Sequence, residues 1–257
     1  MTARNLLPRG LENMILRLEE VTKSLAGKII VGPITLDFAT ATTTVLLGPE
    51  GSGKSAVLRL FAGLDRADNG SVIVDDIELN ESSIEGIRRK IGYLVAGGAL
   101  FPHMTVAENV TLRLRRAHIS QPMIDRRLAE LTEIFRISPQ GLKHYPHQLL
   151  PWQKIRVAMV RALMPDPQVL LFDDVLSDFD RMSRTLALAE LSNTLRRLNK
   201  TVVWVTHDLN EALNLADHAV LLIDGQVAQR GHLMDLIDNP VDDDVGDFMR
   251  AQRLWLH

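Results

Sequence analysis

The chain has no cysteine, which excludes disulfides and thiolate metal sites and fits a reducing cytosol. It lacks an excess of basic charge. Its 29 lysines and arginines stand against 32 acidic residues, a formal net charge of −3, so no overall positive field invites nucleic acid and no such partner is expected. No apolar run approaches the roughly 18 to 20 residues that a membrane helix needs. The first twenty residues carry no continuous apolar core before a small-residue cleavage site, so no secretory signal is expected. Internal repeats and low-complexity segments are missing as well. The chain is expected to be soluble, with any membrane role exercised through a partner. What is there is ordinary globular material. The 257 residues are 46% hydrophobic and 24% charged, enough for one large α/β domain or two small ones.

The apolar pattern changes period along the chain. Val45-Leu46-Leu47 reads as a short buried strand leading into Gly48. After a glycine-rich stretch, Ala56, Val57, Leu60 and Phe61 recur at helical spacing, with Gly63 as a stop. Asp68-Asn69-Gly70 reads as a turn, and Ser71 to Leu79 alternates as a strand. From about Ala96 to Leu163 the pattern is mainly helical. Ile124, Leu128, Leu131, Ile134 and Phe135 form one apolar stripe, and Trp152 to Leu163 suits a second helix. Alternation of strand and helix then resumes. Val169 to Phe172 is a strand, Leu188, Leu191, Leu195 and Leu198 line a helix, and Thr201 to Thr206 is a β-branched strand. Ala219 to Ile223 and Gln226 to Gln229 flank Asp224-Gly225, a two-residue hairpin signal. Alternating strands and helices imply a mainly parallel sheet, here interrupted by a helical insertion at roughly 97–165.

Gly48-Pro49-Glu50-Gly51-Ser52-Gly53-Lys54-Ser55 fits G-x-x-x-x-G-K-[ST] without exception. The glycines let the loop curl so that backbone N–H groups face phosphate oxygens, and the helix entered at Lys54, Ser55 and Ala56 adds the positive end of its dipole. Lys54 is expected to reach the β- and γ-phosphates of a nucleotide, and the Ser55 hydroxyl to ligate Mg²⁺. The bland alternative is a glycine-rich turn that binds nothing; its place between a strand and a helix argues against that. The apolar strand before Asp173-Asp174 supplies a second half, with Asp173 holding the Mg²⁺. Alone, such an acid is more often a cap or loop residue, and the phosphate loop is what favours the metal reading.

These elements, with what lies between them, resemble the ABC transporter ATP-binding family across essentially the whole chain. Ile91 to Val110 resembles the family's Q-loop region, Tyr145 to Leu149 leads into its signature segment, and Arg156 to Leu163 resembles the helix that follows. Ser177 to Asp180 matches the D-loop, and Val205-Thr206-His207-Asp208 the switch-histidine loop. Arg88 to Tyr93, Leu100 to Thr105 and Leu236 to Pro240 are similar to importers of glycine betaine and related osmoprotectants. The resemblance implies an ABC-type P-loop NTPase fold over 1–257, with an N-terminal antiparallel β subdomain and an inserted helical subdomain. It implies ATP and Mg²⁺ as ligands, a head-to-tail dimer with a second ATP-binding subunit, and docking of transmembrane subunits near the helical insertion, Phe101-Pro102-His103 included. The chain would then be peripheral on the inner face of the cell membrane. Asp174 and His207 would be the catalytic pair, His207 contacting the γ-phosphate and helping to place the attacking water.

Four features depart from the family pattern. The signature Leu-Ser-Gly-Gly-Gln is here Leu149-Leu150-Pro151-Trp152-Gln153. The hydroxyl is gone, Pro151 has no N–H donor, and Trp152 puts bulk where a glycine admits phosphate, although proline suits the first turn of a helix. The glutamate after Asp173 is Asp174, shorter by one methylene; a misplacement of about 1 Å at an attacking water can cost about 10²-fold in rate. The Q-loop glutamine aligns with Ala96, and the adenine-stacking aromatic with Leu25. In a homodimer both composite sites would carry every defect, whereas an intact partner would divide the damage, so a heterodimer is favoured. Two main readings compete. One is a slow but active transport ATPase energising import of an osmoprotectant-like solute; the other is an ATP-binding regulatory subunit that dimerises on ATP and scarcely hydrolyses it. Turnover lost on Lys54→Ala separates them. The other histidines show no metal-ligand spacing.

Overall fold

The computed structural model describes residues 14–253, so most of the segment read for a secretory signal lies outside the described residues. In chain order the elements are β1 (Met14–Leu25), β2 (Lys28–Ala39), β3 (Thr43–Leu47), α1 (Lys54–Phe61), β4 (Asn69–Val74), β5 (Ile77–Glu78) and α2 (Ile84–Lys90). There follow β6 (Ile91–Val95), α3 (Val106–Arg116), α4 (Gln121–Ile134), α5 (Pro151–Leu163), β7 (Val169–Asp173) and α6 (Arg181–Leu198). The chain closes with β8 (Thr201–Val205), α7 (Leu209–Leu215), β9 (His218–Ile223), β10 (Gln226–Gly231), α8 (Leu233–Asp238) and α9 (Asp243–Arg253). The described residues divide into two compact units, one of residues 14–88 with 192–253 and one of residues 89–191.

The first unit carries an N-terminal antiparallel sheet in the order β2-β1-β4-β5, with Val21 opposite Ile34 and Leu16 opposite Val74. Alternate residues of β2 are buried, the pattern of a sheet with one covered face. Phe38 of that strand meets Phe61 of α1 edge to face at 5.4 Å. The strand expected over Ser71 to Leu79 is in fact two. Asp75 and Asp76 both take positive φ (53° and 58°) and turn β4 back into β5. Aspartate tolerates that left-handed region better than most residues, and two such positions in succession make a tight hairpin. The same unit holds a parallel set in which β3 lies between β8 and β9. All five residues of β8 and four of β3 are buried, as strands covered on both faces must be. β10 returns antiparallel to β9 through Asp224 and Gly225, at φ 48° and 76°, the hairpin expected from those two residues.

In the second unit β6 and β7 pair in parallel, with Tyr93 opposite Leu171 and Val95 opposite Asp173. α3, α4 and α5 make the helical part. On α4, Ile124, Leu131 and Phe135 are buried, but Ile134 is half exposed. At about 100° per residue Ile134 sits some 80° off the stripe that the others share. Fully buried Asn109 of α3 clamps the preceding loop, its side chain bonding the Phe101 N–H (2.8 Å) and the carbonyls of Phe101 (3.1 Å), Met104 (3.1 Å) and Thr105 (3.0 Å). Thr105 and Glu108 close a reciprocal cap at the start of α3. The Thr105 amide and hydroxyl hold the Glu108 carboxyl below its ordinary pKa. Among the described residues no helix is long and apolar enough to cross a membrane.

Candidate functional site

In the first unit β3 ends at Leu47, and Gly48 to Gly53 turn the chain into α1. Two glycines are required by space as well as by backbone. A Cβ on Gly48 (φ 149°) would stand 2.1 Å from the Leu222 carbonyl oxygen, and one on Gly53 (φ 94°) 2.4 Å from that of Ile30. Lys54 opens α1 and bends back over the loop. Its Nζ donates to the carbonyls of Gly48 (2.9 Å) and Pro49 (2.6 Å) and to Ser52 Oγ (3.2 Å). Its ammonium is thus held within the curl of the loop. Gly53, the N-cap of α1, makes no side-chain cap bond, and a helix N-terminus is a place where an anion is favoured. Ser52 and Ala56 are buried within this turn, while Pro49, Glu50, Gly51 and Ser55 are exposed.

β8 runs parallel to β3 with Leu46 opposite Val205, so His207, two residues beyond, emerges at the same sheet edge as Gly48. Strand carboxyl ends are where open α/β sheets place their ligands. The turn carrying His207 is pinned on both sides. The Thr206 N–H reaches Leu46 O (3.2 Å), the Asp208 N–H reaches Thr206 Oγ1 (3.0 Å), and Asp208 caps α7 through the Asn210 N–H (2.8 Å). His207 itself is exposed.

In the second unit Asp173 ends β7, half-buried, and accepts a hydrogen bond from the Tyr93 hydroxyl at 2.7 Å. Asp174 follows at φ 49°, its carbonyl accepting from the Ser177 N–H (3.2 Å) and hydroxyl (2.8 Å). Left-handed backbone is easier for aspartate than for glutamate, because the short carboxylate tolerates it. Ala96 opens a short 3₁₀ turn in which Gly97, Gly98 and Ala99 all take positive φ. Arg161 holds that turn through the carbonyls of Gly98 (2.8 Å) and Ala99 (2.7 Å), and burial lowers its pKa.

Leu150 caps α5 and is 69% exposed, and Pro151 is the first helical residue, the position proline favours. Gln153 reaches back to the Leu150 N–H at 2.9 Å. Trp152 is half-buried against α6. Its Nε1 donates to Glu190 (3.1 Å), its ring meets Phe179 edge to face at 6.4 Å, and the Arg156 guanidinium lies 5.3 Å from its centre. Leu25, 66% exposed, ends β1 opposite Lys28. Three contributors escaped the sequence reading in these roles: Tyr93, Arg161 and Glu190. No spacing signal marks them, since their partners are remote in the chain.

Ser55 in the first unit and Asp173 in the second each carry an oxygen donor of the kind that a hard cation accepts. Among the described residues no cluster of three or more histidine or acidic side chains able to hold a metal occurs.

The family model described as ABC transporter matches residues 31–177. The chain is similar to the glycine betaine/carnitine/choline transport ATP-binding protein OpuCA of Bacillus subtilis, 34% identical over 93% of this chain and 63% of that protein. It is 36% identical to the spermidine/putrescine import ATP-binding protein PotA of Vibrio cholerae, over 88% of this chain and 59% of PotA. To the glycine betaine uptake system ATP-binding protein YehX of Escherichia coli it is 34% identical, over 93% of this chain and 78% of YehX. The chain thus spans less than two thirds of the first two relatives. Among solved structures, the dimeric ATP-binding cassette MJ0796, bound to ADP and Pi in a post-hydrolysis state, superposes with a TM-score of 0.74 at 30% identity. That match covers 85% of this chain and 99% of MJ0796.

Proposed function

This chain belongs to the ABC transporter family, and we propose that it is the ATP-binding subunit of an import system for a small polar amine of the osmoprotectant type. The observation that carries the reading is the phosphate loop, whose backbone leaves no room for a Cβ at Gly48 or Gly53 and whose lysine is already drawn into the curl. The cargo class rests on relatives named for betaine, choline and polyamine transport.

The roles follow residue by residue. The amides from Gly48 to Ala56 take the phosphates of ATP, and Lys54 exchanges loop carbonyls for β- and γ-oxygens. Ser55 and Asp173 are the donors for Mg²⁺, which when bound neutralises charge on the phosphates. Asp174 orients the attacking water, and His207, standing at the sheet edge beyond β8, contacts the γ-phosphate. The turn at Ala96 offers no side-chain donor or acceptor to metal or water, and Leu25 meets adenine by apolar contact alone.

The chain pairs with a second ATP-binding subunit. Dimeric cassettes among similar structures support an assembly of two, and the Leu150-Pro151-Trp152 turn favours an intact, non-identical partner that keeps a phosphate-gripping signature. Recovery of homodimers alone from the native complex, by mass spectrometry, would count against that pairing. Transmembrane subunits dock on the second unit. There Phe101, 43% exposed on a loop that Asn109 holds rigid, offers an apolar contact, and the chain is peripheral to the inner membrane face.

The test is phosphate release from ATP by the chain reconstituted with its membrane subunits, against a Lys54→Ala control. Turnover lost in the control is the expected result. Turnover that persists in the control would overturn the assignment of the loop, and its absence from both proteins would overturn hydrolysis while leaving nucleotide binding to be read directly.

A further inference from the structure

Tyr93 lies on β6, and its neighbour in the parallel register on β7 is Leu171. Side chains on one face of a strand recur every second residue, about 6.6 Å along the chain. Asp173 is therefore the next residue of β7 on the face that Leu171 and Tyr93 share. A tyrosine side chain spans that one-pleat offset, and the Tyr93 hydroxyl ends 2.7 Å from Asp173 Oδ2. Both residues are half-buried. Phenylalanine would fill the same space in the sheet; what tyrosine adds is one hydroxyl, and that hydroxyl is spent on the carboxylate ending β7.

From this we infer that Tyr93 is a positioning residue for the metal-binding carboxylate of this cassette, an inference that rests on the reading of Asp173 as the Mg²⁺ donor. An O–H to carboxylate bond of this length is charge-assisted and directional. It fixes the plane of the Asp173 carboxylate, so that the carboxylate does not swing between rotamers when a cation arrives. Partners of this kind, one step removed from the metal, commonly govern affinity by 10- to 100-fold. The hydroxyl acts through Asp173, and its loss is expected to leave metal-free nucleotide binding unaltered.

The experiment is a Mg²⁺ titration of ADP binding, followed by calorimetry, on the wild-type chain, Tyr93→Phe and Asp173→Asn. Each is measured at a temperature where circular dichroism shows it folded. Tyr93→Phe is expected to raise the Mg²⁺ concentration at half effect about tenfold, with ADP affinity in EDTA unchanged. Asp173→Asn is expected to raise it further. A Tyr93→Phe midpoint equal to wild type, beside a raised midpoint in Asp173→Asn, overturns the role of Tyr93 while the Asp173 reading stands. A wild-type midpoint in Asp173→Asn overturns that reading and the inference with it. Weakened ADP binding by Tyr93→Phe in EDTA would make the hydroxyl a general structural contact and would also overturn the inference.

Discussion

Trp152 donates its indole N–H to Glu190 across 3.1 Å, and the same carboxylate oxygen accepts Arg156 at 2.7 Å while that guanidinium lies over the indole ring. One acceptor on α6 thus fastens two residues of α5. The bulky residue at a position where the family has a glycine does not simply stand in the way of a phosphate. It is drawn back to brace the start of α5 against α6 and Phe179, and the adjoining Leu150 is what stands exposed.

Removing parts of that brace separates its components. Trp152→Phe keeps the ring near Phe179 and loses the N–H, at a cost of about 1 kcal/mol. Glu190→Ala removes the acceptor of both donors and should cost about 2 kcal/mol, moderated because the charge pair is partly open to solvent. Urea denaturation measures both. Equal losses would mean that the arginine adds nothing to the tryptophan contact.

The phosphate loop distinguishes its glycines sharply. A Cβ at Gly53 would meet the Ile30 carbonyl oxygen at 2.4 Å, whereas one at Gly51 would find nothing within 4 Å despite a φ of 78°. Gly51→Ala should cost about 1 kcal/mol from backbone strain alone. Gly53→Ala should cost about 3 kcal/mol or more and abolish nucleotide binding, since backbone must shift to admit the methyl. Thermal melts with and without ATP report both effects. A loop that accepts Gly53→Ala as easily as Gly51→Ala would not have this geometry.

Asp174 is one methylene short of the glutamate that its family relation implies. Asp174→Glu should raise single-turnover phosphate release by about tenfold or more, because the carboxylate moves toward the attacking water. The left-handed backbone at Asp174 (φ 49°) should charge that variant about 1 kcal/mol in stability. An unchanged rate would show that the missing methylene at Asp174 does not limit hydrolysis.

His218 begins β9 and lies 5.3 Å from His232, ring centre to ring centre. Burial first, and then the His232 charge, depress its pKa below the ordinary histidine value, against a smaller opposing pull from Asp217. The folded chain therefore resists a proton that the unfolded chain accepts. This contribution is neutral above the unfolded pKa of about 6.5 and turns destabilising as the pH falls through it. The melting temperature should drop between pH 7.5 and pH 5.5, and His218→Gln should shrink that drop. An identical pH profile in the variant would place the acid sensitivity elsewhere.

What the sequence determined by itself is local. The run from Gly48 to Ser55, the strand before it and the helix after it are legible because turn chemistry and apolar period act within a dozen residues. The hairpin at Asp224-Gly225 is legible for the same reason. The Ser71 to Leu79 stretch misleads because its apolar residues on both sides of Asp75-Asp76 read as one strand, whereas the two consecutive aspartates break the alternation and turn the chain at positive φ. The depth of Ile134 misleads because a short stripe leaves the helix face uncertain by one residue. What the tertiary structure alone decided is which distant groups meet. Tyr93 and Asp173 are 80 residues apart and Trp152 and Glu190 are 38 apart. Their contacts depend on strand register and on which helix faces pack, and both are set by burial across the whole unit, which no local pattern encodes.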